Sequence, residues 1–76
     1  MQTLKDIFSK VLSVPREAVT DELSPQNTPS WDSLTAIILL TEIEHAFSVR
    51  FGFDEAMAVK TFKDVVALVS SKGVTL

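Results

Sequence analysis

The sequence predicts a small all-α four-helix bundle, three main helices plus a short third one. Apolar residues recur at three- and four-residue spacing in three stretches, which is the period of one helix face. Residues that favour helix starts precede those stretches, and proline or glycine follows two of them. The chain is 46% hydrophobic with no cysteine, so it must hold itself together by packed apolar side chains rather than by disulfides.

Thr3 followed by Asp6 has the spacing of a capping box, and Leu4, Ile7, Phe8, Val11 and Leu12 then form one stripe, so a first helix starts near Thr3. Pro15 should stop it near Val14, because proline disfavours helical geometry at the residue before it. Residues 15 to 30 make a long connection, with a helical turn expected around Arg16 to Val19 and with Val19 and Leu23 turned to the core. Within it 24 to 30, carrying Pro25 and Pro29, has the composition of an extended linker. Asp32 caps a second helix from Ser33 to Phe47, which has no internal glycine or proline. The stretch SVRFGF at 48 to 53 breaks it at Gly52. Asp54 to Val59 forms the short helix, opened by two acids that suit its N-terminal dipole. Thr61 and Asp64 repeat the capping-box spacing, Phe62, Val65, Val66 and Val69 supply the last stripe, and Gly73 is placed to end it.

With 76 residues the chain is one small domain, 1 to 76, in the size range where stability is marginal. Seven basic and ten acidic residues give a formal charge of −3, the wrong sign for a protein that neutralises nucleic-acid phosphates. MQTLKDIFSK lacks the continuous apolar stretch of a signal peptide, and no run approaches the length of a membrane span. The expectation is a soluble, cytoplasmic monomer that binds neither nucleic acid nor membrane.

Enzymatic chemistry finds little support. His45 is the one histidine. On a shared helix the twelve-residue offset from Ser33 to His45 amounts to roughly 18 Å along the axis, beyond hydrogen-bonding reach. No set of metal ligands exists, and neither Gly52 nor Gly73 belongs to a phosphate-binding glycine loop.

Projection of the second helix at about 100° per residue gives two apolar faces. Ala36, Leu40, Ile43 and Phe47, flanked by Leu39 and Ile37, make a core stripe. Leu34, Ile38, Thr41 and His45 lie on roughly the opposite side. That second row is either an exposed docking surface or the seat of the short third helix. Ser33 also has two readings. Serine just inside a helix start commonly does no more than tidy the terminus. Asp32 is already available as the cap, however, and a serine oxygen at a helix N-terminus sits where backbone N–H groups favour a phosphate.

Asp32-Ser33-Leu34 heads a long amphipathic helix, Glu44 and Phe47 lie near its end, Asp54-Glu55 opens a short helix, and a final helix starts at about Thr61. Taken together these features resemble the acyl carrier protein family over essentially the whole chain. The WDSL form, with Trp31 before the motif, looks most like free-standing carriers of specialised pathways such as polyketide or related secondary-metabolite assembly. The resemblance implies that a phosphopantetheinyl transferase esterifies Ser33 with 4'-phosphopantetheine from coenzyme A, and that the arm's thiol holds an acyl group as a thioester. A protein that handles thioesters without owning a cysteine must borrow a thiol. Asp32 would help position the serine and Leu34 would flank the arm. Acyl-transferring and condensing enzymes would be the further partners, with no reaction catalysed by the carrier itself.

One departure from the family pattern concerns docking. Family members typically place acids along the exposed row of the second helix, where this chain has Ile38 and His45; Thr41 lies on the same row, and acid remains at Glu42, Glu44, Asp54 and Glu55. Docking is therefore expected to be more apolar, with Ile38 as an anchor. Trp31 is expected as a lid over the core edge, His45 as a solvated helix residue, and Phe51, Phe53 and Phe62 as core that could also line a space for an acyl chain. Two alternatives stand beside the acyl carrier. An aminoacyl or peptidyl carrier usually has a glycine-rich lead into its serine, which Pro29-Ser30-Trp31 lacks. An unmodified helical interaction module would bind through Leu34, Ile38 and Thr41, and Ser33→Ala separates it from a carrier.

Overall fold

The computed structural model describes all residues, 1 to 76. Its helices are α1 (Gln2–Leu12), α2 (Ser33–Phe47), α3 (Phe53–Ala58) and α4 (Phe62–Ser71), with a 3-10 turn at Arg16–Ala18. This is the expected all-α plan of three main helices and a short third.

In α1, Leu4, Phe8 and Leu12 recur every four residues and are buried, while Ile7 and Val11 pack at the margin. Both of its ends differ from expectation. The helix begins at Gln2 with no side-chain cap, because Asp6 turns away from Thr3 and pairs with Arg16, Nε to Oδ1, at 2.7 Å. It ends at Leu12 rather than Val14. Ser13 takes a left-handed conformation (φ 56°), and the N–H of Val14 reaches back to the Ser9 carbonyl at 3.1 Å, so the helix is closed before Pro15 can act.

The connection from 15 to 30 carries the predicted turn, and Val19 and Leu23 are buried as expected. Its second half is not an extended linker. Asn27 accepts the Ser24 N–H at 3.0 Å through its side chain and donates to the Glu22 carbonyl at 2.8 Å, folding 24 to 30 into turns that bury Ser24 and Thr28. Its first half does a second job: the carbonyls of Leu23 and Asp21 accept the N–H groups of Phe62 and Lys63 at 2.9 and 3.4 Å. Those are two of the donors that α4 leaves unsatisfied at its start.

α2 begins and ends where the sequence places it. Its buried centre is Leu39 and Ile43, with Ala36, Leu40 and Phe47 half-buried beside them. Ile37 does not flank the core; it is 64% exposed, because it lies roughly 140° round the axis from that centre. The helix is broken at Ser48, again left-handed at φ 56°, four residues before Gly52. α3 buries no residue. Phe53 at its start is 79% exposed, contrary to its expected core position, while Phe62 is fully buried and Phe51 packs at the core edge. α4 contributes Phe62, Val65 and Val69 to the core and opens on the predicted Thr61–Asp64 capping box.

The centre of the molecule is aromatic. Phe8 meets Trp31 edge-on at 5.4 Å between ring centroids and Phe62 at 4.8 Å, a geometry that suits the ring quadrupoles. Trp31 is thus part of the core, 4% exposed, more deeply set than a lid.

Candidate functional site

The candidate site is the turn entering α2. Trp31, held against Phe8, fixes the chain just before Asp32, and Asp32 is extended (φ −116°, ψ −172°) as an N-cap should be. Its Oδ1 accepts the N–H groups of Leu34 and Thr35, both at 3.0 Å. In return the Asp32 N–H donates to Thr35 Oγ1 at 2.8 Å, which completes a capping box.

The carboxyl of Asp32 is held below the ordinary aspartate range, chiefly by the Thr35 N–H. Desolvation opposes this to a lesser degree, and the Leu34 N–H assists. Asp32 is therefore anionic at neutral pH. A carboxyl depressed in the folded state contributes stability that is present above its unfolded value and lost as pH falls through its folded value. The melting-temperature advantage of wild type over Asp32→Asn, which keeps the cap and removes the charge, is thus expected at pH 7 and should shrink as pH falls below the ordinary aspartate value of about 3.9. A difference that stays constant across a melting series from pH 7 to 3 would contradict the cap charge.

Ser33 is the first residue of α2 and is exposed. No protein group engages its hydroxyl or its backbone N–H. Because Asp32 takes the next two amides, the Ser33 N–H is the backbone donor left open to a phosphate on that serine. Leu34 follows with its side chain 69% exposed, giving an apolar surface beside the hydroxyl. A free hydroxyl, a free amide and an exposed apolar neighbour fit an attachment point for a phosphate-linked arm with aliphatic segments.

The comparison with known proteins agrees with that geometry. A family model described as "Phosphopantetheine attachment site" matches residues 30–69. The acyl carrier protein of Coprothermobacter proteolyticus is 33% identical over 70 residues, covering 92% of this chain and 85% of the relative. The chain belongs to the acyl carrier protein family. The acyl carrier protein of Thermosynechococcus vestitus is 32% identical over 72 residues, covering 95% of this chain and 89% of its own. The solution structure of the holo acyl carrier protein from Geobacter metallireducens superposes with a TM-score of 0.83 at 28% identity, covering 93% of this chain and 82% of that one. The cofactor of this acyl carrier protein is 4'-phosphopantetheine, and the family implies a modifying transferase and biosynthetic enzymes as partners. No helix is long and apolar enough to cross a membrane.

Along α2 the row Leu34, Ile38, Thr41 and His45 is exposed, so α3 does not cover it, and Ile37 adds to it. The acids divide by role. Glu44 Oε2 accepts the Phe51 N–H at 2.8 Å and so fastens the α2–α3 loop. Glu55 accepts the Gly52 N–H at 2.8 Å and pairs with Lys72 at 2.7 Å, tying α3 to the end of α4. The Gly52 N–H, then Lys72, holds its carboxyl below the ordinary glutamate range. Glu42 and Asp54 form no ion pair or side-chain hydrogen bond within the chain. Thr35 escaped the sequence reading because the capping pattern sought an acid three residues after the cap. Asp-x-x-Thr, in which a hydroxyl replaces that acid, is the signal that would have found it.

Proposed function

We propose that Ser33 carries the 4'-phosphopantetheine arm through a phosphate ester and that the protein is a non-catalytic carrier of acyl intermediates, working in polyketide, fatty-acid or related secondary-metabolite biosynthesis. The observation that carries this reading is the exposed, unengaged Ser33 hydroxyl at the head of α2, inside the segment matched by the attachment-site model. When bound, the arm supplies the thiol on which an acyl group is held as a thioester. Asp32 shapes the turn that offers the hydroxyl, and Leu34 gives the arm an apolar flank. The test is the intact mass of the folded, unmodified chain after incubation with coenzyme A and a promiscuous phosphopantetheinyl transferase. A gain of one phosphopantetheinyl group is expected; no gain overturns the reading.

The partners in this reading are the transferase and the acyl-transferring and condensing enzymes that load and unload the arm. They dock on α2 and α3, over Leu34, Ile38, Thr41 and His45, with Glu42, Glu44, Asp54 and Glu55 at the margin. Two considerations favour an apolar contact. Ile38 is 43% exposed at mid-row, and Glu44 and Glu55 are already committed within the fold. Ile38→Ala is expected to weaken binding of a cognate partner about tenfold, whereas raising salt to about 0.5 M should change it by less than about threefold. Titration calorimetry at both ionic strengths decides this. Binding abolished by salt and indifferent to Ile38→Ala would show a docking surface dominated by charge.

A further inference from the structure

We propose that Thr35 is a positioning residue for modification of this protein: its hydroxyl locks the turn that presents Ser33 to the transferase, a role that rests on Ser33 being the attachment point. Ser33 makes no intramolecular hydrogen bond through its hydroxyl or its N–H, so its direction is set entirely by residues 30 to 32 and by the first turn of α2. Thr35 grips both sides of that segment. Its Oγ1 accepts the Asp32 N–H at 2.8 Å, and its single proton goes to the Ser30 carbonyl at 2.7 Å, nearer than the Asp32 carbonyl and Oδ1, both at 3.2 Å. Ser30 in turn donates its own hydroxyl to the Leu12 carbonyl at the end of α1, at 2.8 Å. A path of hydrogen bonds therefore runs from the C-terminus of α1 through Ser30 and Thr35 to Asp32, and Asp32 Oδ1 closes it on the Leu34 and Thr35 amides.

Ordinary helix capping accounts for only half of this. A capping box needs the residue three beyond the cap to accept the N-cap N–H, and an acid does that, as Asp64 does for Thr61 at 3.2 Å. A carboxylate cannot donate onward to a carbonyl. The hydroxyl of Thr35 does both, so the bond to Ser30 is the part that helix stability alone does not require. Threonine is also a poor helix former, and Thr41, on the exposed face of the same helix, returns its hydroxyl to the Ile37 carbonyl at 2.8 Å without touching any loop.

If the transferase accepts only the locked turn, its apparent affinity for the chain scales with the fraction of molecules in which the turn is locked. Thr35→Val keeps the shape and removes the hydroxyl. The expected result is a KM for the carrier raised about tenfold with kcat unchanged, recovered by Thr35→Ser. A second readout needs no arm: in the unmodified chain, amide hydrogen exchange at Asp32 should quicken about tenfold in Thr35→Val, while Leu39 and Ile43 stay protected. Thr35→Ala, which introduces the best helix former, supplies the same comparison if valine disturbs the fold. A wild-type KM in a folded variant lacking the hydroxyl overturns the proposal, as does an Asp32 amide whose exchange does not change. Failure of the Ser33 reading shows separately, as a wild-type chain that takes no phosphopantetheinyl group before any variant is compared.

Discussion

Ser33→Ala is expected to remove all loading of the phosphopantetheine arm while leaving the protein as stable as the wild type. The side chain is exposed, and no group in the fold engages its hydroxyl. The cap of α2 belongs to Asp32 and Thr35, and alanine is well suited to a first helical turn. An exposed substitution of this kind lies within about 0.5 kcal/mol, so the melting temperature should stay within about 4 °C of wild type. Intact mass after incubation with coenzyme A and a transferase reads the first effect, and a thermal melt reads the second. The combination separates a carrier from an unmodified interaction module, for which Ser33 would hardly matter. Loss of both loading and fold would instead make the serine structural.

Phe8→Ala is expected to have the largest effect on stability. Phe8 is fully buried and is the one ring that touches both Trp31, which leads into the Ser33 turn, and Phe62, which opens α4. Truncating a buried phenylalanine costs about 3–5 kcal/mol, and each lost aromatic contact adds roughly 0.5–1.5 kcal/mol. A chain of this length has about 4–11 kcal/mol to lose. A large share of the variant should therefore be unfolded without denaturant at 37 °C. Trp31 is the one tryptophan and sits against the lost ring, so urea unfolding followed by its fluorescence reports the change directly. Phe8→Leu should recover most of the loss. A Phe8→Ala variant destabilised by less than about 1 kcal/mol would contradict the packing described.

Elements whose signals are local were legible in the sequence. α2 begins and ends as its N-cap and uninterrupted apolar run predict, and Thr61 with Asp64 opens α4 through side-chain bonds that span three residues. Thr3 and Asp6 have the same spacing and fail, since Asp6 has a stronger partner in Arg16, which only the folded chain brings near. The stretch 24 to 30 looked like a linker by composition. Its order comes from Asn27, whose side chain bonds to neighbouring backbone in a way composition does not reveal. Periodicity separated the two faces of α2 correctly but set the boundary between them too wide, placing Ile37 with the core although it stands in solvent. Phe53 shows the same limit. An aromatic beside a short helix looks like core until that helix proves too short to bury it.

The site divides in the same way. Ser33, its cap and the position of the row below it follow from residue type and helical phase, whereas the choice between an exposed row and one covered by α3 is made only by the fold. Thr35 was hidden because its function lies in two bonds made at once, one of them to a residue before the helix. The internal work of Glu44 and Glu55 was hidden too: Glu44 accepts a backbone N–H seven residues on, in the following loop, and Glu55 accepts that of Gly52, an N-cap without a side chain to signal a capping box, and pairs with the distant Lys72.

The central claim, that this acyl carrier protein bears its arm on Ser33, is tested most directly by tandem mass spectrometry of the loaded protein after proteolysis. The peptide carrying the phosphopantetheinyl group contains both Ser30 and Ser33, and fragmentation between them locates the bond. The account predicts the added mass on Ser33, with Ser30 unmodified because its hydroxyl is engaged by the Leu12 carbonyl. The group on Ser30, on any other hydroxyl, or on none in a folded chain that began unmodified, would contradict it.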